Sequence, residues 1–210
     1  MSVAGLRGPY VRSRDRRKTR SPLQRGTRMS MRLRDERDTP LDHVTIALGW
    51  DPATPSRWFN RRKDIDLNAA ALLFAAEQLV DVVYHERLTS TDGSVRLHGD
   101  SITGEGEGDD EVITVDLTRI PSEVTTVLFL VTCYTGQTFE QIANAYCRVI
   151  DSAAGTQIAR YDLTGGGDHT GMVLGRVRRT DGVWHFDSLG KGLRARHPVE
   201  AVPLLADYVG

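Results

Sequence analysis

Thirteen residues near the middle of the chain, Gly99-Asp100-Ser101-Ile102-Thr103-Gly104-Glu105-Gly106-Glu107-Gly108-Asp109-Asp110-Glu111, hold six carboxylates, four glycines and no basic residue. Two ionised carboxylates 4 Å apart repel by about 1 kcal/mol in water and about 4 at an effective dielectric of 20. A folded loop of this composition therefore calls for a cation. Calcium suits it best, because it takes six to eight hard oxygen ligands and mixes carboxylates with backbone carbonyls. The alternating glycines let the backbone turn sharply and aim carbonyls inward, so Thr103, Gly104 and Gly106 join Asp100, Glu105, Glu107, Asp109, Asp110 and Glu111 as expected ligands. Magnesium fits less well, since it demands strict octahedral geometry and keeps its waters. The plain alternative is an exposed acidic loop.

A second oxygen cluster is Asp64-Ile65-Asp66-Leu67-Asn68. On a strand, Asp64, Asp66 and Asn68 would share one face, with Ile65 and Leu67 on the other. An EF-hand is excluded, because Ala69 stands where that loop needs glycine and Ala75 where it needs a bidentate glutamate. Either these residues complete a shared calcium centre with the acidic loop, or they are a solvent-facing strand edge.

Enzymatic chemistry finds little support. Carboxylates crowded in one glycine-rich loop are poor candidates for the separated pKa values of an acid–base pair. The sequence holds no G-x-S-x-G elbow, no H-E-x-x-H and no C-x-x-C, and its six histidines are far apart. Cys133 and Cys147 fall in strand patterns and read as core residues. GGGDHTG (165–171) lacks the Lys-Ser/Thr of a P-loop and reads as an ordinary loop. A non-enzymatic binding protein is expected.

The elements that must position these oxygens are short and alternating. VTIALGW (44–50), DIDLNAAALLF (64–74), LVDVVYH (79–85), EVITVDL (111–117), TTVLFLVTCY (125–134), NAYCRVID (144–151) and TQIARYDL (156–163) read as strands. The 64–74 segment is expected to be half exposed where it enters the core. Asp92-Gly93 and Asp181-Gly182 mark hairpins, the latter with Trp184 and Phe186 on one face, and Ala154-Gly155 marks a tight turn. Helical patterns are limited to TFEQIANA and to PVEAVPLLADYV, which Pro203 weakens. The fold expected is an all-β-dominated β-sandwich of two facing sheets with one or two short helices.

Charge divides the chain of 210 residues, whose formal net charge is only −1. Residues 1–40 carry twelve basic and four acidic residues, so the remainder is strongly acidic. With few large apolar residues, 1–40 reads as a disordered basic arm ahead of a folded domain at 41–210. Arg14, Arg16, Arg17, Lys18 and Arg20 are its candidates for contact with nucleic acid or an anionic surface. A solvated tail, a transit peptide, or sequence upstream of a start at Met29 or Met31 are the other readings. No apolar run approaches the roughly 18 residues of a membrane span, and two cysteines make no disulfide framework, so a cytoplasmic protein is expected.

LGWD (48–51), DIDLNAAALL (64–73), TDGSV (91–95), HGDSITGEGEGDDEVITVDL (98–117), the NAY–R pattern (144–148) and ARYDL (159–163) together resemble the TerD family of calcium-binding tellurite-resistance and general stress proteins. The resemblance runs from about residue 41 to 209. It implies facing β-sheets with calcium, here two ions, at one end, and a cytoplasmic stress role beside other stress-complex proteins. Family ligands carry over to Asp64, Asp66, Asp100, Glu105, Glu107, Asp109, Asp110 and Glu111, with backbone oxygens of the glycine loop. Asn68 stands where the family usually has Asp, Ser101 where it has Asn, and His85 where it has Asn. The run Arg61–Lys63 and residues 1–40 lie outside the resemblance and inherit nothing. A nucleic-acid- or anion-binding protein using the arm, with calcium purely structural, is the alternative reading.

Overall fold

The computed structural model describes residues 29–51, 65–99, 109–142, 144–163 and 167–210. Among the described residues eleven strands run in chain order: β1 (Ser30–Arg32), β2 (His43–Gly49), β3 (Leu67–Ala75), β4 (Gln78–Val83), β5 (Val95–His98), β6 (Glu111–Asp116), β7 (Thr126–Cys133), β8 (Tyr146–Asp151), β9 (Thr156–Asp162), β10 (Gly171–Thr180) and β11 (Val183–Leu193). They form two antiparallel sheets, one ordered β1-β11-β10-β7-β3-β4 and the other β5-β6-β2-β8-β9. The expected β-sandwich is what the chain adopts.

Alternation along the strands sets two apolar layers. Leu67, Ala69, Ala71 and Leu73 of β3 face the other sheet, packing with Ile46, Ile113, Val149 and Phe129. Ala70, Leu72 and Phe74 point outward, where Ala201, Leu205 and Val209 cover them. These belong to the C-terminal segment, comprising α1 (Pro198–Ala201), a 3-10 turn (Val202–Leu204) and α2 (Ala206–Val209). Pro203 lies in the 3-10 turn, which breaks this segment into pieces as the sequence suggests. The expectation of a half-exposed β3 is corrected: both faces are covered, which is why its sequence turns continuously apolar.

Turn chemistry closes the hairpins. Asp181 and Gly182, both at positive φ, join β10 to β11, the backbone a two-residue loop needs to match the twist of its strands. At Asp92-Gly93 the chain folds back so that residues 88–90 bond 95–97. The helix expected at TFEQIANA does not form: residues 138–141 make turns, with Thr138 N–H donating to the Gln141 side chain at 3.1 Å. Eight residues are too few to sustain a helix unaided, and Phe139 and Ile142 anchor the loop in the core instead.

The folded body also begins before residue 41. Ser30, Met31 and Arg32 pair with Asp187, Phe186 and His185 of β11, and Leu33 is only 2% exposed. Residues 29–40 hold three basic and three acidic residues, so the whole excess of eight basic residues in 1–40 lies in residues 1–28.

Candidate metal centre

The strand ends of the five-stranded sheet gather the site. β6 pairs with β2, setting Leu48 opposite Glu111, and β8 pairs with β2 on its other side, setting Gly49 opposite Tyr146. Asp110 N–H donates to the Leu48 carbonyl at 2.8 Å, so the three acids that open β6 lie beside the Leu48-Gly49-Trp50-Asp51 turn.

Each of these three acids has a different environment. Asp109 meets the sheet's outer face, where Arg148 Nε donates to its two oxygens at 2.8 and 3.1 Å and Arg148 Nη2 makes a further bond. Tyr146 Oη donates to it at 3.2 Å. The Tyr146 ring lies across Gly49, whose hydrogen leaves the room: a Cβ there would meet ring atoms at 2.5 Å. Arg160 covers the same ring, 3.6 Å from its centroid. Glu111, 1% exposed, accepts from the Ala69 amide and thereby ties the start of β6 to β3 across the sandwich.

Asp110 lies between them. Its Oδ2 accepts from Trp50 N–H at 2.9 Å. Burial holds its pKa above the usual carboxylate range; the Trp50 bond opposes this, and the charges of Asp109 and Asp51 reinforce it. Asp51 accepts from Asn144, which sits at positive φ. Trp50 is the hub of the turn, since its indole N–H also donates to the Ile65 carbonyl at 3.1 Å and so fixes the entry to β3.

Asp66 follows that entry. It accepts from Asn68 Nδ2 at 2.8 Å, while its amide donates to Thr135 Oγ1 at 3.2 Å. Asn68 is buried and has the parity of Ala70 and Leu72, so it lies on the outward face of β3, opposite to the face Glu111 reaches. Asp64, Asp100, Thr103, Gly104, Glu105, Gly106 and Glu107 lie outside the described residues, as do Arg14, Arg16, Arg17, Lys18 and Arg20.

Reading from sequence alone gave no role to Asp51, Trp50, Tyr146 or Arg148. Their signals were present in the LGWD and NAY–R patterns, but spacing in sequence does not show that these segments flank the acidic loop. Cys133 and Cys147 are free and buried, and burial together with the Asp109 charge pushes the Cys147 thiol up to about 12. Such a thiol carries almost no thiolate at neutral pH, which suits a core residue. The described part of the GGGDHTG loop is tied to distant segments: Asp168 pairs with Arg194 at 2.9 Å and the His169 carbonyl accepts from Phe139.

Comparison with known proteins agrees with this architecture. A TerD domain family model matches residues 20–197. Tellurium resistance protein TerZ of Serratia marcescens is 41% identical over 161 residues, covering 74% of this chain and 83% of its own length. General stress protein 16U of Bacillus subtilis (strain 168) is 32% identical over 161 residues, with 72% and 81% covered. Among solved structures, the protein of unknown function SAV2460 superposes with a TM-score of 0.68 at 28% identity, over 79% of this chain and 97% of its own. A TerD homologue from Streptomyces coelicolor A3(2), SCO6318, shares the fold with a TM-score of 0.67 at 24% identity. With the family model spanning most of the described sandwich and the acidic turn within it, the chain belongs to the TerD domain family.

Proposed function

We propose that this chain is a calcium-binding stress-response protein of the tellurite-resistance type, a non-enzymatic binding module of the cytoplasm. Its relatives' names supply the stress and tellurium context. The observation that carries calcium is Asp110, a carboxylate whose ionisation is opposed by burial and by two neighbouring acids. A bound cation reverses that penalty. The fit is to a hard ion, because Asp51 and Asp110 offer only carboxylate oxygens. With Asp66 and the 100–108 loop they supply the oxygen ligands, and two ions are expected; Asn68, on the outward face of β3, holds Asp66 through its side-chain amide. Asp109 is matched by the charged Arg148 guanidinium and Glu111 is tied to the Ala69 amide, so these two hold the loop's exit in place. Calcium neutralises the acids and fixes the loop to the sheet end; Trp50 and Arg148 orient the residues around it.

The test is thermal unfolding of the full-length chain in calcium and in chelator. Calcium at 100 times its dissociation constant should add about 2.7 kcal/mol per site if only the folded state binds. An identical melting temperature in both buffers overturns the proposal.

A further inference from the structure

At the other chemical extreme from the acidic turn is a cluster of imidazoles. Tyr84 and Arg87 exchange backbone hydrogen bonds of 3.0 and 2.8 Å, leaving His85 and Glu86 as the two residues of a tight turn beyond β4. His197 arrives from far along the sequence as the residue capping α1, its backbone extended ahead of Pro198. One ligand atom from each of His85, Glu86 and His197 lies within 4.8 Å of the others. The two imidazoles meet edge to face at 5.7 Å between centroids, and the Tyr84 ring packs against both at 5.3 and 5.4 Å.

We propose that His85, Glu86 and His197 form a second divalent-cation site, selective for an ion of the zinc type and separate from the calcium centre. Two imidazoles and one carboxylate are the donor set of three-ligand zinc sites, with a fourth position for water. Calcium prefers oxygen ligands throughout, so it competes poorly here. Tetrahedral zinc, with bonds of 2.0–2.2 Å, sets its ligand atoms roughly 3.4 Å apart. Two of the three ligands are only partly exposed, whereas Glu86 is exposed and able to swing inward.

Two details point to a ligand rather than to packing alone. Among the described residues, His85 Nδ1 is buried without a hydrogen-bond partner, a costly state for a ring nitrogen that a metal bond would relieve. Tyr84 Oη donates to Glu86 Oε2 at 3.0 Å, the kind of outer partner that orients a ligating carboxylate. His197 Nδ1 accepts from Val199 N–H at 3.2 Å, a capping bond that ligation through that nitrogen replaces.

The test is a cobalt(II) titration of the calcium-saturated full-length chain, followed by visible absorption, with zinc as competitor. One equivalent of cobalt should produce the intense d–d bands of a low-coordinate site, and zinc should bleach them. His85→Asn and His197→Asn should each weaken cobalt binding at least about tenfold, the lower bound for losing even an outer-shell partner. Asparagine at 197 keeps a capping side chain, so melting in chelator should stay close to that of the parent and separate ligand loss from misfolding. Asp110→Asn should leave the bands intact. No bands at millimolar cobalt, or bands that survive the double histidine variant, overturn the proposal. Bands that vanish with Asp110→Asn instead would place the ion at the acidic turn and overturn it equally.

Discussion

The adjacent acids Asp109 and Asp110 have opposite electrostatic roles, and substitution should expose the difference. Asp109 is satisfied by Arg148 and Tyr146, so Asp109→Ala strips a partly buried guanidinium of its partner. Denaturant unfolding should show a loss of roughly 1–3 kcal/mol in chelator and in calcium alike. Asp110 is raised above the usual carboxylate range, so its ionised form costs stability at neutral pH in the absence of a cation. Asp110→Asn should therefore leave stability in chelator unchanged or slightly higher, and reduce the gain on adding calcium. A variant that loses stability in chelator but keeps the full calcium gain would contradict this assignment of roles.

Among the elements, β1 shows how a short segment becomes essential. Its three residues lie in a polar, arginine-rich stretch with no strand periodicity. What holds it is the exposed edge of β11 and the seat for Leu33, whose amide donates to the Trp184 carbonyl at 2.9 Å. Leu33→Ala should cost about 2–5 kcal/mol in chemical denaturation, the range for emptying a buried leucine site. Residues 1–28 hold nine basic residues, one acidic residue and few large apolar ones, so removing them should leave the unfolding midpoint where it is. Leu33→Ala and the removal of residues 1–28 thus separate charged arm from sandwich more sharply than composition does.

At the scale of the whole molecule, one buried ion pair gathers β1, β10, β11 and the C-terminal segment. Asp187 of β11 accepts from Arg176 Nε at 3.0 Å and Arg178 Nε at 3.2 Å, and Arg176 Nη1 reaches the carbonyls of Tyr208 and Gly210 at 2.6 Å each. Burial would raise the Asp187 pKa, but hydrogen bonds from Ser30, Arg176 and Arg178 outweigh it and hold the carboxyl below its usual range. A depressed carboxylate contributes stability above its unfolded-state pKa and loses it as pH falls through the folded value. Stability should therefore fall away below about pH 4, near the ordinary carboxylate pKa. Asp187→Asn should cost roughly 3–5 kcal/mol at pH 7, the range for breaking a buried pair, and flatten the acid limb of the stability profile. Urea unfolding between pH 3 and 7 checks both the magnitude and the sign.

The sequence by itself determined most strands, the hairpin turns and the acidic loop, because alternation, Asp-Gly dipeptides and a run of six acids are local properties. It also carried the family, through motifs whose residues are contiguous. Only tertiary structure decided that Trp50 joins the Asp110 turn to the entry of β3, or that Arg148 neutralises Asp109. Likewise, only the fold set Leu33 in the core and His85 against His197. Each of these depends on which strands become neighbours in a sheet and on what covers its outer face. That arrangement comes from burying two apolar layers at once, and no window along the chain contains it.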